Sequence, residues 1–394
     1  MSTLNISTGP QAVPQFDVLP PLSLYIHVPW CVRKCPYCDF NSHEARGELP
    51  EQAYVAALLA DLEMTLPKVW GRPVLTIFIG GGTPSLLSVP ALDALLSGVR
   101  ARLPLAADAE ITLEANPGTV EADKFAGFRA AGVNRLSLGI QSLNDRHLKA
   151  LGRIHDADEA RRAAELALAT FDNVNLDLMY GLPEQTVAEA EADLAAAIAL
   201  GSQHLSAYHL TIEPNTWFHR YPPTVPDDDT AAVMQDAVEA HLAAAGFEHY
   251  ETSAFARPGR RSRHNLNYWM FGDYLGIGAG AHEKLSFKNN ILRESRTRQP
   301  KAYLERAGSD AVFSERRDVT VAELPGEFMM NALRLNDGFD LDLFGARTGL
   351  DLTCILPQLD VAEARGLLSR DHRRAAPTAL GRRFLNDLIG LFLD

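Results

Sequence analysis

Tyr25-Ile-His-Val-Pro-Trp-Cys31-Val-Arg-Lys-Cys35-Pro-Tyr-Cys38-Asp-Phe40 holds three of the four cysteines in a 394-residue chain, spaced C-x3-C-x2-C. Three thiols this close cannot pair as disulfides without leaving one over, and the pattern suits a metal or a cluster. Two fillings fit the residues. Zinc would need a fourth ligand, from His27 or His43. A [4Fe-4S] cubane held by three cysteines would keep one iron open to a small molecule, such as an amino acid chelating through its amine and carboxylate. The fourth cysteine, Cys354, sits in the apolar run Thr-Cys-Ile-Leu and reads as core.

Outward from this stretch the chain alternates apolar β-rich runs with alanine- and leucine-rich helical ones. The spans 22–29, 74–80, 110–115, 133–138, 174–179 and 204–210 read as strands, and 51–68, 88–102, 119–131, 156–170, 186–200 and 228–245 as helices. Such alternation predicts an α/β protein with a parallel sheet and right-handed crossovers. Six units suit a complete or partial barrel better than a small open sheet, a doubly wound sheet being the alternative. In a barrel, functional groups gather where strands end. The unusual residues fall there: the cysteine loop, Gly80-Gly-Gly82-Thr83-Pro, Glu114-Ala-Asn-Pro117, Gly139-Ile-Gln141 and Asp177-Leu-Met-Tyr-Gly. Glu114 would hold a ribose diol or an ammonium, or pair with an arginine. Gln141 and Asp177 offer the same choice between ligand and structural hydrogen bonds. Arg153 would meet a carboxylate in a bidentate pair or stand as a surface charge.

The remaining sequence sets the bounds. Residues 1–20 read as a loose arm, 21–283 as the core, 284–319 as a charged, irregular linker, and 320–394 as a small helical, winged-helix-like module. A net charge of −13 argues against broad contact with nucleic-acid backbone. Residues 318–394 carry eight arginines, no lysine and twelve acids, which makes the module a better lid or docking element than a DNA reader. No secretory signal and no membrane span are legible, and free-thiol chemistry points to the reducing cytoplasm.

Tyr25-Ile-His-x-Pro-x-Cys-x3-Cys-x2-Cys followed by Gly-Gly-Gly-Thr-Pro resembles the radical S-adenosylmethionine (SAM) superfamily, and more narrowly the branch containing oxygen-independent coproporphyrinogen III dehydrogenase (HemN). The resemblance implies a partial (β/α)6 barrel with a HemN-type C-terminal domain. It implies that Cys31, Cys35 and Cys38 hold a [4Fe-4S] cluster whose fourth iron SAM chelates. Tyr25 and Tyr37 would then line the SAM site, Gly82 and Thr83 would contact the methionine part, and Glu114, Gln141, Arg153 and Asp177 would surround the ribose and carboxylate. The open iron would permit one-electron cleavage of SAM to methionine and a 5′-deoxyadenosyl radical.

Two features turn the expectation from decarboxylase to chaperone. The dehydrogenase pattern resembles C-x3-C-x2-C-x-C, whereas Phe40 occupies the last position here, and the arm before the motif is short. Both are similar to the HemW group, a sister group of heme chaperones. His264-Asn-Leu-Asn-Tyr268-Trp269 matches that group's H-N-x-x-Y-W signature and implies His264 as a heme ligand. Tyr268 and Trp269 would stack on the porphyrin, with Arg260, Arg261 and Arg263 near its propionates. The structural alternative makes His264 and Asn265 hydrogen-bonded residues and Trp269 core. The implied partners are heme, a heme-acceptor protein and a low-potential flavodoxin- or ferredoxin-type electron donor, with oxidative decarboxylation of coproporphyrinogen III as the alternative function.

Overall fold

The computed structural model describes residues 13–119 and 122–393, so most of the expected N-terminal arm lies outside the described residues. Six strands, β1 (Leu22–Val28), β2 (Val74–Gly81), β3 (Leu105–Ala115), β4 (Arg135–Gln141), β5 (Val174–Tyr180) and β6 (His204–His209), run parallel and in chain order. Helices α1 (Glu51–Thr65), α2 (Val89–Arg100), α3 (Ala122–Ala131), α4 (Ala157–Thr170), α5 (Val187–Ala199) and α6 (Asp228–Ala244) each follow one strand. The helix starts are written locally. Asp156 with Glu159 and Thr186 with Glu189 form capping boxes that satisfy the first amides of α4 and α5. Strand residues such as Leu24, Ile26, Ile77, Leu113, Leu136 and Leu176 are fully buried, so the helices cover a continuous apolar sheet.

The sheet extends beyond these six units. Strands β7 (Glu248–Glu251) and β8 (Ala254–Ala256) add at the β6 side in antiparallel fashion. After the short helix α7 (Arg263–Trp269), β9 (Asp273–Ile277) lies parallel to β1 on its free side. Then β10 (His282–Ser286), β11 (Ile291–Arg296) and β12 (Phe313–Asp318) continue antiparallel. The full order is β12-β11-β10-β9-β1-β2-β3-β4-β5-β6-β8-β7. Among the described residues no pairing joins the two outer strands, which makes the barrel partial.

The span 284–319 is therefore not an irregular linker. Three of its charges, Lys284, Glu294 and Arg296, are buried, each in an ion pair. Arg296, fully buried, meets Asp61 of α1 at 3.2 Å, Glu283 at 3.1 Å and Glu294 at 3.8 Å. Lys68 bridges Glu283 and Glu294, and Tyr303 donates to Asp61 at 2.8 Å. Paired charges can enter a core that lone charges cannot.

A second core forms around α8 (Leu324–Ala332), α9 (Leu341–Thr348) and α10 (Leu356–Ala364), with Phe328, Phe339, Phe344 and Leu359 at its centre. A hairpin, Leu368–Arg370 with Arg374–Pro377, supplies the expected wing, and Phe339–Asp340 adds a third strand. The final helix is two short pieces, Ala379–Arg383 and Leu385–Gly390. Two expectations change here. The described part of the arm is anchored, because Phe16 is buried in this second core and its amide donates to Lys288 O at 3.1 Å. Cys354 is exposed, at the end of a single 3-10 turn, Leu352–Cys354, and is not core.

Candidate functional site

After β1 the chain forms a two-residue parallel pairing, Trp30–Cys31 with His43–Glu44, that closes the cysteine loop. The Ala45 amide donates to Cys31 O at 2.8 Å, and Lys34 Nζ donates to Phe40 O at 3.1 Å. Cys31, Cys35 and Cys38 are unoxidised, half-buried, and line a cavity of about 330 Å³ at the C-terminal ends of the strands. Burial pushes the thiols of Cys31 and Cys38 up, so a positive centre is needed to hold them as thiolates. Among the described residues no three His, Cys, Asp or Glu converge as a single-ion site. Three thiols on one cavity suit a polynuclear cluster, in which each thiolate takes its own iron. His27 and His43 are engaged elsewhere. His27 bonds Tyr25 OH through Nδ1 and Asn41 O through Nε2, both at 2.9 Å, and His43 Nε2 bonds Asn41 Oδ1 at 3.3 Å. Neither lines the thiol cavity, so neither is placed there as the fourth ligand of the zinc alternative.

The same cavity gathers Tyr37, Gly82, Thr83, Glu114, Gln141, Arg153 and Asp177 from five strand ends. Gly82 is required by close approach, since a Cβ there would lie 2.5 Å from Trp30 O. Gly81, at φ +119°, turns its amide to Glu114 at 3.0 Å. Burial and the neighbouring Asp177 charge raise the Glu114 pKa to about 8, with the Gly81 bond opposing them. Asp177 is also pushed up by burial, although Asn175 (2.8 Å) and Ser137 (3.2 Å) donate to it. Gln141 adopts φ 65°, a conformation that non-glycine residues take mainly where the surroundings enforce it. Arg153 is held by Asn116 Oδ1 at 2.6 Å and Gly139 O at 2.7 Å, reaches Cys35 Sγ at 3.6 Å, and leaves its buried Nε without a partner. The arrangement offers thiols for iron, buried carboxyls for hydroxyl or ammonium groups, and guanidinium donors for a carboxylate.

Two expected residues lie outside this cavity. Tyr25 lines a second cavity of about 470 Å³, which shares Phe40, Gly81 and Glu114 with the first. His264 lines neither cavity. It is fully buried, with Nδ1 on Thr76 Oγ1 at 2.8 Å and Nε2 on Tyr268 OH at 2.9 Å. Burial, with the Arg135 charge behind it, lowers its pKa to about 3. Both ring nitrogens are occupied in this conformation, and the bond to Thr76 ties α7 to β2. Arg260, Arg261 and Arg263 line neither cavity either.

Sequence reasoning missed Asn116, which joins Thr83 (3.0 Å) to Arg153, and Arg135, which lines the thiol cavity at 2% exposure. The buried Arg135 Nε has no hydrogen-bond partner among the described residues. A lone arginine opening the apolar strand Arg135–Gln141 was the available signal.

Comparison with known proteins agrees with this geometry. A family model for the radical SAM superfamily matches residues 25–197, and one for the HemN C-terminal domain matches 319–384. The heme chaperone HemW of Escherichia coli (strain K12) is 54% identical over 377 residues, covering 95% of this chain and 99% of that protein. The protein of that name from Haemophilus influenzae is 47% identical over 381 residues, covering 95% and 98%. A solved structure of coproporphyrinogen III oxidase (HemN) from Escherichia coli, described as a radical SAM enzyme, superimposes with a TM-score of 0.80 at 24% identity, covering 95% of this chain and 90% of that one.

Proposed function

On the premise that the chain belongs to the HemW family within the radical SAM superfamily, we propose that it is a heme chaperone that carries a [4Fe-4S] cluster and SAM and passes heme to an acceptor protein. The observation that carries this reading is the end-to-end identity of 54% with a protein named as a heme chaperone. The structural likeness to coproporphyrinogen III oxidase speaks for the fold alone, at 24% identity.

Cys31, Cys35 and Cys38 hold the cluster, a role supported by three reduced thiols on one cavity wall. When bound, the cluster supplies an open iron and a one-electron donor. Gly82 and Thr83 border the SAM methionine, Glu114, Gln141 and Asp177 its ribose, and Arg153 its carboxylate. Support comes from their shared cavity and from the unpaired Arg153 Nε. Phe40 closes the space between the two cavities, 60% exposed where a fourth cysteine would stand in the decarboxylase pattern. An apolar ring there keeps cargo apart from cofactor and provides no thiol. A low-potential flavodoxin- or ferredoxin-type donor would feed the cluster. No helix among the described residues is long and apolar enough to cross a membrane, and we place the protein in the cytoplasm on its free thiols.

The test is anaerobic. Reconstituted protein loaded with hemin should transfer it to an apo-hemoprotein and form no protoporphyrinogen from coproporphyrinogen III with SAM and reductant. Protoporphyrinogen formation at catalytic turnover would replace the chaperone by the enzyme. Replacing Cys31, Cys35 and Cys38 by serine should abolish iron and sulfide incorporation; retained iron would remove them as ligands.

A further inference from the structure

Beneath the residues assigned to SAM, the thiol cavity ends on a buried cation that the proposed function does not use. We infer that this floor is a second binding site, in which Arg135 takes the carboxylate of a small organic acid alongside SAM.

Strand geometry sets the two sites at different levels. Arg135 opens β4, and Gly139, whose carbonyl holds Arg153, follows further along the same strand. At ~3.3 Å per residue the two levels are about 13 Å apart. Arg153 reaches Cys35 Sγ at 3.6 Å and so belongs to the cluster end. A carboxylate that chelates the open iron would lie with Arg153, which leaves Arg135 for another anion.

Arg135 is 2% exposed, and its buried Nε has no hydrogen-bond partner among the described residues. The carboxyl that its charge reaches, Asp177, already accepts from Asn175 at 2.8 Å and Ser137 at 3.2 Å. His204, which lines the same floor, is engaged by Asn175 at 2.6 Å and Tyr250 OH at 2.8 Å. A guanidinium taken out of water without an anion is costly, so its place here calls for one. A second unused group stands beside it. Thr112 on β3 is the register neighbour of Arg135, and its buried hydroxyl also has no partner among the described residues. Register neighbours project from the same face of a sheet. Asn265 of α7 lines the cavity as well, although His264 beside it does not.

The charges select the ligand. Three arginines line the cavity among the described residues: Arg33 is exposed, Arg153 stands at the cluster end, and Arg135 serves the floor. One guanidinium, with Glu114 and Asp177 on the same cavity, matches a single negative charge. A phosphate dianion would meet two carboxyls with one cation. A planar carboxylate also fits the guanidinium fork in a bidentate pair.

The experiment is anaerobic calorimetric titration of the full, cluster-loaded chain with acetate and lactate at constant ionic strength, with acetamide and lactamide as neutral counterparts. The acids should bind and the amides should not. Arg135→Met should weaken the acids roughly 10–100-fold, the loss of one hydrogen bond to a charged group. Thermal unfolding separates a site from a structural cation. With no acid present, Arg135→Met should melt no lower than the wild type, because it removes an uncompensated buried charge. Added lactate should raise the melting temperature of the wild type alone. A variant that melts markedly lower without acid, or fails to fold, would reveal an internal partner and overturn the inference. Acids that bind wild type and variant alike, or bind neither, would overturn it too. Displacement of lactate by saturating SAM would mean one shared carboxylate site. Equal binding of chloride or inorganic phosphate would remove the carboxylate as the ligand class.

Discussion

Glu114 is the group whose proton the site controls most visibly. Its pKa is raised to about 8 by burial and by Asp177, so the folded chain without ligands binds a proton that the unfolded chain releases at ordinary carboxyl values. Stability from this group is present at low pH and is lost as pH rises from the ordinary carboxyl range through about 8, with a slope of at most about 1.4 kcal/mol per pH unit. Glu114→Gln should flatten the pH dependence of denaturant unfolding across that window in cluster-free, SAM-free protein. An unaltered slope would show that the carboxylate is already ionised there. At this scale the site was legible wherever a residue was out of place for its element: glycines ending a strand, or a carboxylate or cysteine in an apolar run. Asn116 escaped because its role is to hold Arg153, and pattern carries no trace of a bond between two side chains 37 positions apart. The motif names His264 but carries no trace of the partners, Thr76 and Tyr268, that engage both its nitrogens in this conformation.

Among the elements, the six βα units were legible because buried parallel strands and amphipathic helices write their periods into hydropathy. The antiparallel extension was not. Strands β10 and β11 carry Glu283, Lys284, Glu294 and Arg296 in buried positions, and a reading by hydropathy assigns such residues to solvent. Only the partner across space, Asp61 on α1, reverses that assignment. Arg296→Leu should therefore destabilise the chain by about 3–5 kcal/mol, measured by urea unfolding, because it leaves the buried Asp61 without a cation and takes one away from Glu283 and Glu294. A loss under about 1 kcal/mol would mean that water already reaches the network.

Across the whole molecule, one sheet supports two adjoining chambers with a common partition of Phe40, Gly81 and Glu114. A partition contacted from both sides cannot respond to one occupant alone. Whatever factor SAM imposes on hemin affinity, hemin must impose on SAM affinity, and a typical coupling of 1–3 kcal/mol makes that factor about 5–150. Calorimetric titration of each ligand with the other saturating should give equal factors within error, both different from one; a factor of one would make the partition inert. The shared wall thus makes the carrier a gauge as well: the readiness with which it surrenders its cargo reports how much SAM surrounds it.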